Sequence, residues 1–272
     1  MTKNNSFGDI AAELLTRIRE KRPLIHHITN FVVMNDTANL TLALGALPVM
    51  AHAKEEVAEM VAAAGALVLN PGTLTPEWID AMLIAGRRAN ELGIPVIYDP
   101  VGVGATQLRN ETGQLFLDTL RLAVVRGNSG EIGALAGAGG LVKGVESIEG
   151  VKDPLQVARD LARKYHTVVA ITGQRDIISD GQRVLGVDNG HAMLKTITGS
   201  GCMATTAVAV FCAVENDPLI AAAAALACYG LAAQYAALDA KGPGTFRSAL
   251  LDAVYQLTPA HIEARAQIVE LA

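Results

Sequence analysis

Apolar and polar positions along the chain alternate between two periods, and the switches between them mark out elements. Ile10, Leu14, Leu15 and Ile18 recur at helical spacing and predict an opening amphipathic helix. Leu24 to Ile28 reads as a strand ending in Thr29-Asn30, followed by a helix from Asn35 to Leu44 and a short strand from Pro48 to Met50. Lys54 to Ala63 reads as helix and Ala66 to Leu69 as strand, broken by Asn70-Pro71-Gly72. Thr75-Pro76-Glu77 opens a further helix, with a cap-type residue before a proline at the first helical position. Pro95 to Tyr98 and Leu122 to Val125 are strands, the first stopping at Asp99-Pro100. Asn128-Ser129-Gly130-Glu131 starts another helix, and a glycine-rich run follows from Gly137 to Gly144. Asp153 to Lys164 reads as helix, and Thr167 to Ile171 as a β-branched strand ending in Thr172. Ile177 to Ser179 and Arg183 to Val187 flank Asp180-Gly181 as a hairpin. After Gly201 the pattern is helical to the end of the chain.

Strands alternating with helices imply an α/β fold: one domain over residues 1–272, with a mostly parallel central sheet covered by helices on both faces. In such sheets ligands bind beyond the carboxyl ends of the strands. Asn30, Met50, Asp99, Asn128, Glu131 and Thr172 are expected there.

The segment Leu219 to Leu238 carries no charge and is long enough to span a bilayer. It is dominated by alanine, holds Gln234 and two tyrosines, and has no Lys/Arg cluster at one end, so it is expected to be a buried core helix. The net charge of −5 argues against a nucleic-acid binder, which needs a basic face to neutralise phosphates. Cys202, Cys212 and Cys228 form no CxxC, and Met1 to Gly8 has no apolar core. Both features point to free thiols in the cytoplasm.

Thr198-Gly199-Ser200-Gly201-Cys202 precedes an apolar helix. Glycines there let backbone N–H groups approach an anion, and the helix start adds partial positive charge. A phosphoryl group in transit would be stabilised by such fixed donors. The competing reading is a plain helix start capped by Ser200 or Thr198. Asn128-x-x-Glu131 lies shortly after Arg126. A carboxylate beside phosphates suits Mg²⁺, which keeps several waters and needs only one or two carboxylates; Asp99 would supply the second. A solvated helix start also favours an acid in its first turn. Gly102-x-Gly104 lacks the third glycine of a dinucleotide site, and no Walker A sequence is present. His26 and His27 occupy adjacent strand positions, so they face opposite sides and do not form one metal site.

Gly199-Ser200-Gly201-Cys202 together with Asn128-x-x-Glu131 resembles the ribokinase-like superfamily. Further segments narrow the resemblance to the hydroxyethylthiazole kinase family: His27 to Asn35, Gly45 to Ala51, Tyr98 to Gly102, Arg126 to Glu131 and Thr198 to Met203. The resemblance implies transfer of a phosphoryl group from MgATP to 4-methyl-5-(2-hydroxyethyl)thiazole, in a homotrimer with the thiazole pocket near a subunit boundary. It implies that Asn30, Met50 and Gly199 contact the thiazole, that Arg126 and Thr172 contact ATP, and that Asp99 and Glu131 serve Mg²⁺. Cys202 stands where the wider superfamily has an aspartate base, and Gly199 and Gly201 form the anion hole around it. An ordinary thiol is a weak base at neutral pH, although a helix start lowers its pKa. Cys202 is therefore expected to assist rather than dominate. Three rival functions share parts of this pattern. A lyase of the same fold acting on a hydrated nicotinamide cofactor would be expected to keep an acid at position 202. A kinase for pyridoxal or hydroxymethylpyrimidine would use the same phosphate site, and a non-catalytic nucleotide sensor would need no catalytic residues.

Overall fold

The computed structural model describes residues 6–137, 141–143, 146–149 and 152–271. Half of the glycine-rich run from Gly137 to Gly144, and Met1 to Asn5, lie outside the described residues. In chain order the elements are α1 (Phe7–Lys21), β1 (Leu24–Ile28), α2 (Met34–Leu44), β2 (Leu47–Val49), α3 (Val57–Ala62), β3 (Ala66–Leu69), α4 (Pro76–Leu92), β4 (Val96–Tyr98), α5 (Gln107–Thr119), β5 (Val124–Asn128) and α6 (Ser129–Leu135). They continue as β6 (Leu141–Lys143), β7 (Glu146–Glu149), α7 (Pro154–Tyr165), β8 (Val168–Thr172), β9 (Asp176–Ser179), β10 (Val184–Val187), a 3₁₀ turn (Ala192–Thr196), α8 (Ser200–Cys212), α9 (Pro218–Asp239), α10 (Pro243–Gln256), α11 (Pro259–Arg265) and β11 (Ile268–Glu270).

One sheet runs in the order β11-β10-β9-β8-β5-β4-β3-β1-β2, and β6 pairs with β7 separately. The six strands from β8 to β2 are parallel, with registers such as His27 opposite Val68 and Gly127 opposite Ile171. β9, β10 and β11 continue the sheet antiparallel. Successive residues of the central strands point into two different cores, which is why β3 and β4 read as unbroken apolar runs. Ala66 and Val68 face one core while Leu67 and Leu69 face the other; Val168 and Ala170 divide in the same way from Val169 and Ile171. The first core is closed by α1, α2 and α8 to α11, the second by α3 to α7.

Two helix starts form as their sequences require. Thr75 caps α4 by accepting the Trp78 N–H at 3.3 Å, with Pro76 at the first helical position. Asn128 and Glu131 close a reciprocal box at the start of α6. The buried segment expected from Leu219 to Leu238 is α9, and 83% of its most apolar stretch lies inside the protein.

Three elements depart from the sequence pattern. α5 has no strong apolar period: only Thr112, Gly113, Phe116 and Leu117 are buried, so its polar face dominates the sequence. α3 is shorter than the run from Lys54 to Ala63, because residues 54–56 form a turn. The tail is not helical to its end. β11 pairs with β10, Leu185 opposite Glu270, and a three-residue edge strand is too short to show a period.

Gly230 decides how α9 meets the rest of the chain. A Cβ at this position would sit 2.6 Å from the Asn189 carbonyl carbon, and closer still to its oxygen. Asn189 cannot retreat, because its amide donates to Gln234 and to the Arg265 carbonyl while its Oδ1 accepts the Gln267 N–H. Gly230→Ala should therefore lower stability by about 1–3 kcal/mol, although alanine is the better helix former. In α10 nothing lies within 4 Å of a Cβ at Gly244, so Gly244→Ala should be neutral or stabilise by up to about 1 kcal/mol. Thermal melts of the two variants should move in opposite directions, and a Gly230→Ala protein as stable as the parent would contradict this packing.

Candidate active site

The parallel strands end in a row of polar residues along one edge of the sheet. Thr172 ends β8, Asn128 ends β5, Asp99 follows β4, Asn70 follows β3 and Asn30 lies just past β1. The first turn of α8 lies across the middle of this row, since α8 packs on β3, β4 and β5.

Five side chains meet there. The Asn30 amide donates to Asn70 Oδ1 at 2.8 Å, and the Asn70 amide donates to Asp99 Oδ2 and to Cys202 Sγ, both at 3.1 Å. The Thr205 hydroxyl, one turn along α8, donates to the same Asp99 oxygen at 2.9 Å. Asn30, Asp99 and Cys202, which the sequence nominates separately, thus form one cluster in which Asn30 and Asp99 are buried and Cys202 is half-buried. Asn70 and Thr205 are the members that sequence reasoning misses. The signal for Asn70 is its place directly after an apolar strand, in Asn70-Pro71-Gly72, where it also reads as an ordinary turn. Gly72 is part of the fit, because a Cβ there would sit 2.6 Å from the Asn30 amide nitrogen.

The start of α8 is open. Its cap, Gly199, has φ +84° and offers no side chain to the first N–H groups. A Cβ at Gly199 would lie 2.8 Å from Val33 Cγ1. The Arg126 guanidinium lies against the same turn, and a Cβ at Gly201 would be 2.7 Å from its Nη1. Arg126 also donates to the Thr172 hydroxyl, while its Nε is buried without a partner. N–H groups left uncapped beside a buried arginine suit an anion.

Glu131 is buried and does two things at once. Its Oε2 accepts the Asn128 N–H and its Oε1 accepts the Gly102 N–H, both at 2.9 Å. Asn128-x-x-Glu131 is therefore a capping box in fact, but one whose acid also ties down the loop after β4. Met50 follows β2, the edge strand, three strand steps or about 14 Å from β4 by sheet spacing. Among the described residues, no hydrogen bond or ion pair joins its side chain to the cluster. His26 and His27 face opposite sides: His26 Nε2 bonds the Ala51 carbonyl at 2.8 Å, and His27 Nε2 bonds Thr41 Oγ1 at 3.2 Å.

Burial shapes the electrostatics. It raises the Asp99 pKa, against the opposing pull of Arg126 and the bonds from Thr205, Cys202 and Asn70. Burial, and then the charge of Asp99, push Glu131 up to about 7. Burial and Asp99 likewise raise the Cys202 thiol far above its ordinary value, the opposite of the lowering expected from a helix start alone. At neutral pH Cys202 is a thiol, and its sulfur accepts from Asn70. Two buried carboxylates that oppose each other's ionisation are what a divalent cation would relieve. Among the described residues no group of three or more His, Cys, Asp or Glu is gathered for a metal. The pair fits a cation that keeps most of its water, as Mg²⁺ does.

A sequence model described as the hydroxyethylthiazole kinase family matches residues 15–260. A protein named hydroxyethylthiazole kinase from Chloroflexus aggregans is 65% identical over 266 residues, covering 98% of this chain and 96% of that protein. One of the same name from Desulforudis audaxviator is 65% identical over 260 residues, covering 96% and 95%. The solved structure of hydroxyethylthiazole kinase protein from Pyrococcus horikoshii superposes with a TM-score of 0.89 at 44% identity, covering 97% of this chain and 99% of that one. Pyridoxal kinase from Staphylococcus aureus, solved with AMP-PCP and pyridoxal, shares the fold at a TM-score of 0.60 and 14% identity, over 92% of this chain and 99% of that one.

The buried Glu131 gives a stability signature. Its folded pKa of about 7 lies above the ordinary 4.5, so the folded state binds more protons between those values. Stability should therefore be greatest near and below pH 4.5 as far as this group is concerned, and should fall as pH rises to about 7. Melts of metal-free protein should show a drop across that window that shrinks in Glu131→Gln. Equal pH slopes in the two proteins would remove the strained carboxylate.

Proposed function

This chain belongs to the hydroxyethylthiazole kinase family, and we propose that it transfers the γ-phosphoryl group of ATP to the hydroxyl of 4-methyl-5-(2-hydroxyethyl)thiazole. The observation that carries this reading is the cluster of Asn30, Asn70, Asp99 and Cys202 directly beside the uncapped first turn of α8. Residues 1–272 act as one kinase unit in the cytoplasm, on a small molecule and not on a nucleic acid or a membrane.

In the reaction the hydroxyl oxygen bonds the γ-phosphorus, the bridge to the β-phosphate breaks, ADP leaves and the hydroxyl proton is released. The N–H groups that follow Gly199, with Gly201 and Arg126 beside them, hold the charge of the phosphoryl group in transit. Arg126 and Thr172 orient ATP. Asn30, Met50 and Gly199 contact the thiazole, and Asn70 keeps the Asn30 amide aimed. Asp99 and Glu131 would hold Mg²⁺, in part through water, and Mg²⁺ supplies positive charge to the phosphates. Little proton abstraction is required when the transition state is loose. This matches a Cys202 that rests as a thiol and takes the hydroxyl proton only late, as its own proton passes to Asp99, to which it is hydrogen-bonded.

Met50 completes a pocket in this scheme only if a second subunit faces it. Phe31, Val32 and Leu42 are 65%, 62% and 51% exposed, all within the segment that includes Asn30 and Met50. We take this surface as the contact of a homotrimer with shared thiazole sites. Light scattering should give three chains per particle, and a fully active monomer would refute the arrangement.

The first assay is ADP release with and without the thiazole alcohol; turnover indifferent to the alcohol would overturn the function. Cys202 supplies a sharper test. An aspartate at 202 ionises far more readily than the raised thiol, so Cys202→Asp should stay folded and raise kcat. Cys202→Ala should lower kcat modestly, at the lower end of the ~10²–10⁴-fold range of general-base help. An Ala variant as fast as the parent, or a folded but inactive Asp variant, would take Cys202 out of the chemistry.

A further inference from the structure

The loops that carry the cluster are held by a residue on α5, the helix that the sequence pattern conceals. Arg109 Nη1 donates to the Val101 carbonyl at 2.7 Å and to the Pro71 carbonyl at 3.1 Å, and its Nη2 donates to the Gly72 carbonyl at 2.7 Å. One planar group thereby joins the loop after β3 to the loop after β4. Among the described residues no carboxylate pairs with it, so its donors serve backbone alone.

Both loops are functional in the scheme above. The first supplies Asn70, whose side chain also accepts the Gly72 N–H at 3.1 Å. The second supplies Asp99 and the Gly102 N–H that holds Glu131. Gly102 has φ +75°, and a Cβ there would lie 3.1 Å from Arg109 Cδ, so the glycine leaves room for the arginine stem. We infer that Arg109 is a positioning residue: its guanidinium fork fixes the two loops against each other and so sets the relative placement of Asn70, Asp99 and Glu131. Lysine cannot replace it, because an ammonium is a point donor without the rigid fork.

The molecule contains its own control. Arg19 on α1 donates in the same way to three carbonyls at the end of α10, those of Leu257, Tyr255 and Val254 at 2.7, 3.0 and 3.4 Å. Gly45 makes room for its stem, as Gly102 does for Arg109. The bonding is alike, but the Arg19 carbonyls lie on the helix layer and not at the strand ends. Loss of either fork removes comparable bonds, and only one loss should reach the chemistry.

The test compares Arg109→Lys, Arg19→Lys and the parent in full-length protein. Three readouts are taken: kcat and KM for the thiazole alcohol at saturating MgATP, the thermal melt, and amide hydrogen exchange. Arg109→Lys should lose about 10- to 10²-fold in kcat, the scale of a misplacement near 1 Å, with KM changed by less than about threefold. Exchange should quicken in residues 70–73 and 100–104 and stay unchanged in the strands. Arg19→Lys should melt lower while keeping its kcat. If Arg109→Lys does not fold, Gly102→Ala crowds the same stem with the guanidinium present and is read by the same measures. Wild-type kcat in Arg109→Lys, unchanged exchange in the two loops, or equal rate losses in both lysine variants would overturn the inference. The kinetic arm rests on the thiazole kinase reading. A parent that ignores the alcohol would sink that reading alone, because the exchange arm judges the fork without substrate.

Discussion

The burial of the Asp99 carboxylate is the constraint to which the rest of the site answers. A carboxylate taken out of water is tolerated only if its oxygens are bonded and its charge is opposed. Asn70 and Thr205 supply the bonds to one oxygen, and Arg126 supplies the nearest opposing charge. Each of those partners comes from a different place, the loop after β3, α8 and β5. Meeting this one requirement therefore fixes three elements relative to one another. The glycines at 72, 199 and 201 follow from it, since each clears space for a side chain or helix that the arrangement brings close.

Much of the fold is legible in the sequence because the parallel strands face two apolar cores. Such strands are rich in Val, Ile, Leu and Ala, though His26 and His27 interrupt β1, and β1 and β3 stand where the sequence places them. The elements that escape notice are those whose stability comes from elsewhere. α5 turns only Thr112, Gly113, Phe116 and Leu117 to the core, and it exposes Leu108 and Leu115 among its polar side chains. β11 gains its strand character from β10 and not from its own composition.

The site is legible in part for the same reason. Motifs that bond locally leave a local signature: Asn128 and Glu131 lie three residues apart and close a box. Residues that act across the fold leave none. Asn70 meets Cys202 across 132 positions, and Arg109 meets Pro71 across 38. Asn70 looks like a turn residue in sequence, and Arg109 looks like any basic residue on an exposed helix. The Cys202 thiol reads as lowered in sequence and is raised in the fold, because the helix start is visible along the chain while the burial of the thiol and Asp99 beside it are not.

The packing of α1 has a consequence for how the chain is made. α1 rests on α11, so that a Cβ at Gly8 would touch the Glu263 carbonyl, and Arg19 reaches the last turn of α10. α1 thus finds its main partners only once the chain has been made as far as α11, and α9, the apolar centre of that core, is itself late. Until then the nascent chain presents one bare face of an incomplete parallel sheet. Contacts this distant in sequence make for slow folding and prolonged exposure of apolar surface. The half of the protein built from α3 to α7 completes its layer earlier, so the two faces of one sheet mature at different times during translation.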